Sequence, residues 1–367
     1  MKDVIFARAK EKGEEFVRKV KGKNPVFVCV IGNSETGKIP GLSAAGAVPE
    51  ITDLTPPADV ELLFYGECKV ISEVPMTPDG IPTPGIITMS AQRLSDMPLF
   101  VVDGGVRVKP HVPYIDVGGK PGGNIVTGEA VEDVEEVIER ATLTGKQLAK
   151  ITDYVVVGES IAGGTTTALG VMVAMGIDAD GKVSSSMPQN PHQLKTETVR
   201  KGLDAKGAKA GDFEDDPFGA VSFVGDPMIP AFAGVVMGAA ETKPVIMAGG
   251  TQMCGILSVI SKIAPKVLEN VAIGTTRWIV EDKTADIVGL VDQIADVPII
   301  AANINFSNSK YEGLRVYETG IVKEGVGAGG ITLAAMLKSE EITMEKVLEE
   351  IDKNYQELLN KRQAKRA

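Results

Sequence analysis

The sequence predicts an α/β protein: a doubly wound, mostly parallel sheet with helices on both faces, plus a small helical subdomain from the chain termini. Three observations predict it. After residue 150, short apolar and β-branched runs alternate with helix-length segments, and a glycine-bearing turn follows the first three runs. The run Val26 to Ile31 is continuously apolar, as a strand buried on both faces would be. The two ends of the chain carry amphipathic, 3- and 4-spaced apolar patterns instead. The expected boundaries are 25–335 for the main body, with 1–24 and 336–367 as terminal helices.

In chain order, residues 2–21 read as a helix, with Phe6, Ala9, Phe16, Val17 and Val20 on one face. Val26 to Ile31 reads as a strand bounded by Pro25 and Gly32. Residues 32–58, rich in Gly, Pro, Ser and Thr, read as loop. Val60 to Tyr65 and Leu99 to Val102 read as strands, and 75–85 and 110–124 as irregular chain. Residues 129–150 form the clearest long helix, with acidic residues in its early turns where the helix dipole favours them. Strands then follow at Tyr154 to Val157, Ala220 to Val224, Val245 to Ala248, Val271 to Ile273 and Val297 to Ala301, with helices between. A helix from Thr343 to about Lys361 closes the chain ahead of a frayed basic tail. In such a sheet, ligands bind at the carboxyl ends of the strands, where the glycine turns lie.

The chain has 367 residues, enough for a large buried core, and 44% hydrophobic with 24% charged residues excludes wholesale disorder. A net charge of -11 argues against nucleic-acid binding through a basic face. Cys29, Cys68 and Cys254 are sparse and far apart, which fits neither a disulfide framework nor a zinc site. With no signal-peptide pattern after Lys2 and Asp3, the expected location is cytoplasmic. The apolar stretch from Ala231 to Gly250 contains Glu241 and Lys243, so it is read as core rather than membrane span.

Three turns carry candidate chemistry. Gly32 to Lys38 spells GxxxxGK after a strand, but Ile39 and Pro40 stand where a phosphate loop needs a hydroxyl residue and a helix start. A nucleotide hydrolase using this turn is one alternative; a polar loop is the other. Gly158 to Thr167 joins a strand to a helix, and its glycines, threonine hydroxyls and helix N-terminus would suit a phosphate or carboxylate. It would equally suit a tight turn with a threonine cap. Lys323 to Gly330 places Glu324 in a glycine-rich turn before an apolar helix. A desolvated carboxylate there would have a raised pKa suited to a general base, and a solvated loop glutamate is the alternative. His111 and His192 have no motif partners, Cys254 reads as a buried thiol, and Glu214 to Asp216 reads as an acidic loop.

Together these turns resemble the nicotinate-nucleotide–dimethylbenzimidazole phosphoribosyltransferases of cobalamin biosynthesis, and more narrowly an archaeal branch of them. The resemblance is carried by Gly158, Glu159, Gly163, Thr165 and Thr166, by Gly225, Asp226, Ile229 and Ala231, by Gly249, Gly250 and Thr251, and by Glu324, Gly325, Gly327 and Ala328. Val102, Asp103, Gly105 and Val106 match an upstream motif, and the likeness covers mainly 76–107 and 154–332. Gly164 stands where the family usually has Asn. A phosphate-binding lysine of the family has no clean counterpart before Gly225, and the first 60 residues do not resemble the characterised enzymes.

The resemblance implies transfer of 5-phosphoribosyl from nicotinate mononucleotide to an aromatic base of the benzimidazole type. It implies Glu324 as the catalytic base, with Glu159 near the charge developing on the sugar. Gly158, Gly163, Gly164, Thr165, Thr166, Gly225, Asp226, Gly249, Gly250, Thr251, Gly325 and Gly327 would hold the nucleotide. Ile81, Thr88, Met89 and Asp103 would line the base. No metal or cofactor is called for, and a homodimer is expected. A silent member of the fold that binds a nucleotide or corrinoid precursor is the other alternative.

Overall fold

The computed structural model describes residues 3–43, 49–72, 75–77, 80–187 and 189–366. Eight strands form one sheet: β1 (Val4–Arg8), β2 (Pro25–Gly32), β3 (Leu99–Gly105), β4 (Ile115–Asp116), β5 (Tyr154–Ser160), β6 (Val245–Ala248), β7 (Val271–Thr276) and β8 (Ile299–Ala302). Their order is β1-β8-β7-β6-β5-β2-β3-β4, and every pair is parallel except β1 with β8. From β2 the chain winds outward through β3 and β4. It then returns to β5 on the other side of β2 and winds the opposite way. The order therefore reverses between β2 and β5, and a crevice opens at their carboxyl ends.

Alternation along the strands supplies two apolar layers. Val26, Val28, Val30, Val155 and Val157 face one core, against the helices Val134–Leu148, Gly164–Ala174, Met228–Ala240 and Gln252–Ile263. Phe27, Cys29, Ile31, Tyr154 and Val156 face the other, against Thr55–Tyr65, Gly85–Ser95, Ala328–Lys338 and Met344–Arg366. Both faces are covered, as a parallel sheet requires. Phe16, Val17 and Val20 near one chain end and Val347, Ile351 and Leu358 near the other join this second core. No helix among the described residues is long and apolar enough to cross a membrane.

Several elements differ from the sequence expectation. The expected helix over 2–21 is a strand, β1, followed by the helix Lys10–Val20, with Ala9 at φ 47 making the break; Lys2 lies outside the described residues. Val4 to Phe6 pair with the free edge of β8, which outweighs their place in a helical pattern. Val60 to Tyr65 is the end of a helix, Thr55–Tyr65, rather than a strand. Prolines in its first turn and Gly66 in the left-handed region at φ 68 are helix start and stop signals. Ala220 to Val224 is likewise helical. Pro217 opens the helix Pro217–Val224, and the Asp216 side chain accepts from the Gly219 amide as its cap. The segment 32–58 contains a 3-10 turn, Glu35–Lys38, and a short helix, Pro49–Thr52, while 44–48 lie outside the described residues. The basic tail continues the last helix to Arg366.

Candidate active site

A cavity of about 850 Å3 lies at the carboxyl ends of the central strands, within the size range of small-molecule sites. Glu159 and Ser160 reach it from the end of β5, Gly163 to Thr165 from the following turn, and Gly250 and Gln252 from the turn after β6. Glu324 enters from the loop before the helix Ala328–Lys338, and Ile71, Met76, Ile81 and Pro82 supply an apolar wall.

Glu324 is held from four directions. Its Oε2 accepts from the Thr276 amide at 2.9 Å and the Thr275 hydroxyl at 3.4 Å, both at the end of β7. Its Oε1 accepts from the Gly329 amide at 3.1 Å and the Gly325 amide at 3.3 Å. Burial nonetheless outweighs these donors and pushes its pKa up to about 7. Glu159 is pushed further, to about 8, by burial and then by the charges of Asp226, Asp59 and Glu324. Two carboxyl groups thus share the cavity with proton affinities near neutrality.

The glycines around Glu324 serve close packing. A Cβ on Gly158 would come within 3.0 Å of the Gly327 Cα, so only glycines let this loop lie on β5. A Cβ on Gly330 would meet the Ala248 Cβ at 2.3 Å, which brings the helix down onto β6. The loop itself runs through positive φ at Val322, Lys323, Gly325, Val326 and Gly327. Such backbone is costly for valine and persists only where its surroundings hold it. Here the Val322 amide donates to the Ser186 carbonyl at 3.1 Å, and the Thr88 hydroxyl donates to the Val326 carbonyl at 2.9 Å. Lys323 Nζ donates to Asp282 Oδ2 at 2.6 Å and to Asn190 Oδ1 at 3.1 Å.

A second set of groups faces the opening of the helix Gly164–Ala174. Gly163 caps it at φ 81, leaving first-turn amides that need partners. Thr165 lines the cavity, and its hydroxyl accepts from Lys195 Nζ. That ammonium also donates to the Ser184 carbonyl at 3.1 Å. Lys195 is fully buried, and burial, then the charge of Lys323, pulls its pKa down to about 7. Ser184, Ser185 and Ser186 line the same end of the cavity, with Thr251 Oγ1 accepting from the Ser184 amide at 2.9 Å.

Of the residues the sequence points to, Glu159, Glu324, Gly163, Gly164, Thr165, Gly250, Gly325 and Ile81 line the cavity. Gly158, Gly327, Thr251 and Thr88 hold those residues in place from behind. Thr166 is buried in its helix, and Gly249 packs on Met253. Gly225 and Asp226 lie outside the lining: Asp226 accepts from the Met228 amide at 2.9 Å and caps the helix Met228–Ala240. Met89 belongs to the core, and Asp103 accepts from the Gly105 and Val106 amides at 2.9 and 3.0 Å in the turn after β3. Sequence reasoning missed Lys195, Lys323, Asp59 and the serines. For Lys195 a signal existed, since Lys195, Thr198, Val199, Gly202 and Leu203 form the buried stripe of one helix; a lysine in such a stripe is out of place unless it has a task.

The remaining candidates have structural partners. Lys38 pairs with Glu35 at 2.9 Å and Asp53 at 2.8 Å, and a Cβ at Gly37 would sit 2.5 Å from the Ala162 carbonyl oxygen. The GxxxxGK turn is therefore filled by its own protein contacts. Cys29, Cys68 and Cys254 are buried, and the Cys68 thiol donates to the Ala58 carbonyl at 3.3 Å. His111 Nδ1 lies 2.8 Å from Glu61, and His192 Nε2 lies 2.7 Å from the Thr284 carbonyl. Among the described residues no cluster of three or more His, Cys, Asp or Glu could hold a metal ion.

Comparison with known proteins bears on the family and the fold. A family model described as Phosphoribosyltransferase matches residues 85–277. The UPF0284 protein of Methanothermobacter thermautotrophicus is 45% identical over 92% of this chain and 94% of its own length. That of Archaeoglobus fulgidus is 44% identical over 95% of this chain and 98% of its own. CobT from Thermus thermophilus has the same fold, with a TM-score of 0.56 at 17% identity over 89% of each chain. A second structure, the nicotinate-nucleotide-dimethylbenzimidazole phosphoribosyltransferase from the same organism, gives 0.55 at 18% identity over 90% of each. The chain belongs to this phosphoribosyltransferase family.

Proposed function

We propose that the protein transfers the 5-phosphoribosyl group of nicotinate mononucleotide to a ring nitrogen of a benzimidazole-type base. The products are nicotinate and an α-ribotide. The observation that carries this reading is Glu324: a half-buried carboxylate facing the cavity, fixed by β7 and its own loop, with a proton affinity raised toward neutrality. A general base needs that combination of placement and pKa.

The other parts follow from position. The phosphate would sit at the opening of the helix Gly164–Ala174, against Thr165, Lys195 and the serines 184–186. The base would lie on the apolar wall of Ile71, Met76, Ile81 and Pro82. As the acceptor nitrogen attacks the anomeric carbon, Glu324 takes the proton from the ring N–H. The bond between that carbon and the pyridinium nitrogen breaks, and its electron pair neutralises the leaving nicotinate ring. No general acid is required at that nitrogen. Burial raises the pKa of Glu159 to about 8, which favours its protonated form at neutral pH. A bound pyridinium cation would favour its ionised form, which could then face the charge developing on the sugar. Assembly as a homodimer belongs to the same reading and is open to sedimentation analysis.

The test is to incubate the protein with nicotinate mononucleotide and 5,6-dimethylbenzimidazole, then separate free nicotinate and ribotide chromatographically. A Glu324→Gln variant should turn over about 100-fold more slowly or worse. A variant as fast as the wild type would remove Glu324 from the role. Tight binding of donor and base, with no product from any of a panel of bases, would favour a binding protein on this fold.

A further inference from the structure

Asp59 comes from the helix Thr55–Tyr65, ahead of residues 85–277 that the family model matches, and it lines the cavity. It is buried, and one carboxylate oxygen accepts from the Ser160 hydroxyl at 2.7 Å while the other accepts from the Thr83 hydroxyl at 2.9 Å. Burial is the largest influence on its pKa, which rises to about 6. Its ionised form is favoured above that pH, and among the described residues no cation acts on it.

Its position gives that charge a use. Thr83 follows directly on Ile81 and Pro82 of the apolar wall, and Ser160 follows Glu159. Asp59 thus stands where the wall meets the reacting end of the cavity, away from the phosphate groups at Thr165 and Lys195. An ionised carboxylate only accepts hydrogen bonds, and each oxygen here has a lone pair left after its hydroxyl is counted. A ring bearing methyl groups at that edge would offer the carboxylate no donor. A ring bearing an N–H or O–H would offer one.

We propose that Asp59 selects the acceptor base: the site takes aromatic bases whose ring edge carries an N–H or O–H donor over isosteres carrying methyl groups. This rests on the phosphoribosyl-transfer reading for the word acceptor, but the selectivity itself is a property of binding.

The test uses titration calorimetry on the full chain at pH 8, with 5-aminobenzimidazole and 5-methylbenzimidazole as an isosteric pair and nicotinate mononucleotide measured separately. The wild type should bind the amino compound about 10- to 100-fold more tightly, the scale of a hydrogen bond to a charged group. In Asp59→Leu that ratio should fall to within about threefold, with nicotinate mononucleotide unaffected. Asp59→Asn keeps the size of the side chain and should lower the ratio less, which preserves the test if the leucine variant does not fold. Equal binding of the two bases by the wild type would overturn the proposal, as would an unchanged ratio in both variants. Equal weakening of nicotinate mononucleotide would place the carboxylate on the ribose and overturn it too. Because no turnover is involved, selectivity that persists in a protein without transferase activity would refute only the reaction.

Discussion

The Thr276 amide, at the last position of β7, donates to Glu324 Oε2 at 2.9 Å, although the two residues are 48 positions apart in the chain. The candidate base is therefore aligned by the sheet as well as by its own loop. If Glu324 accepts the proton, activity should follow its ionisation. At saturating substrates kcat should rise about tenfold per pH unit below the apparent pKa, then level off above about pH 7, where burial places the group. Glu324→Gln should lose this limb along with most of its rate. A wild-type profile flat from pH 5 to 8 would exclude titration of this carboxyl from the rate-determining step.

Much of this arrangement is legible in the sequence, and the rest is not for identifiable reasons. The parallel sheet shows because β2, β5, β6 and β7 are buried on both faces and the first three of them run into glycine-bearing turns, so composition and punctuation agree. Glu159, Glu324, Gly163 and Thr165 show because each lies in such a turn. The helices Thr55–Tyr65 and Pro217–Val224 were obscured by valine and phenylalanine, which read as strand until the prolines at their starts are given weight. Asp59 stayed hidden for the same reason, since a strand reading gives no cause to single it out. The pair of Lys323 with Asp282 joins residues 41 apart, and only folding shows that they meet.

Lys195 should prove to be a phosphate ligand. Lys195→Met should weaken nicotinate mononucleotide by about 10- to 100-fold, as expected for losing a charge-assisted hydrogen bond. Because burial pulls the ammonium down to about 7, part of the population is neutral above that pH. A phosphate dianion would draw the proton back. Calorimetry at pH 8 in buffers of different ionisation enthalpy should show proton uptake on binding in the wild type and less of it in the variant. Identical uptake in both proteins would separate Lys195 from the phosphate.

Gly329→Ala tests the packing that aims Glu324. A Cβ there would lie 2.0 Å from the Thr275 carbonyl carbon and 2.2 Å from its oxygen. The helix Ala328–Lys338 would have to move off β7, and the Gly329 amide would leave Glu324 Oε1. Overpacking of this kind costs about 1–3 kcal/mol. Losing a donor to the ionised form should also raise the pKa of Glu324. The variant should therefore show a lowered Tm together with a pH–rate limb displaced to higher pH. A lowered Tm with an unmoved limb would mean that this amide does not tune the carboxyl.

Three carboxyl groups in one cavity, Glu159, Glu324 and Asp59, should leave a mark on stability. Glu159 has its pKa raised from 4.5 to about 8, so the folded state holds this proton more tightly than the unfolded chain does. The resulting stabilisation is complete below about pH 4.5. It shrinks as pH rises and is gone above about pH 8. Glu324, raised to about 7, and Asp59 and Asp226, each raised to about 6, act in the same direction. Lys195, pulled down to about 7, acts the opposite way above that pH, so the effect of Glu159 is read from the difference between wild type and variant rather than from the wild-type curve alone. Glu159→Gln keeps the shape without the titration, so its Tm should gain on the wild type as pH rises. About 1 kcal/mol corresponds to ~2 °C in a large domain, so a gap of a few degrees at pH 9 is the expected size. Parallel curves for the two proteins, measured by scanning calorimetry across this range, would mean that Glu159 is hydrated in the folded state and does not hold its proton at neutral pH.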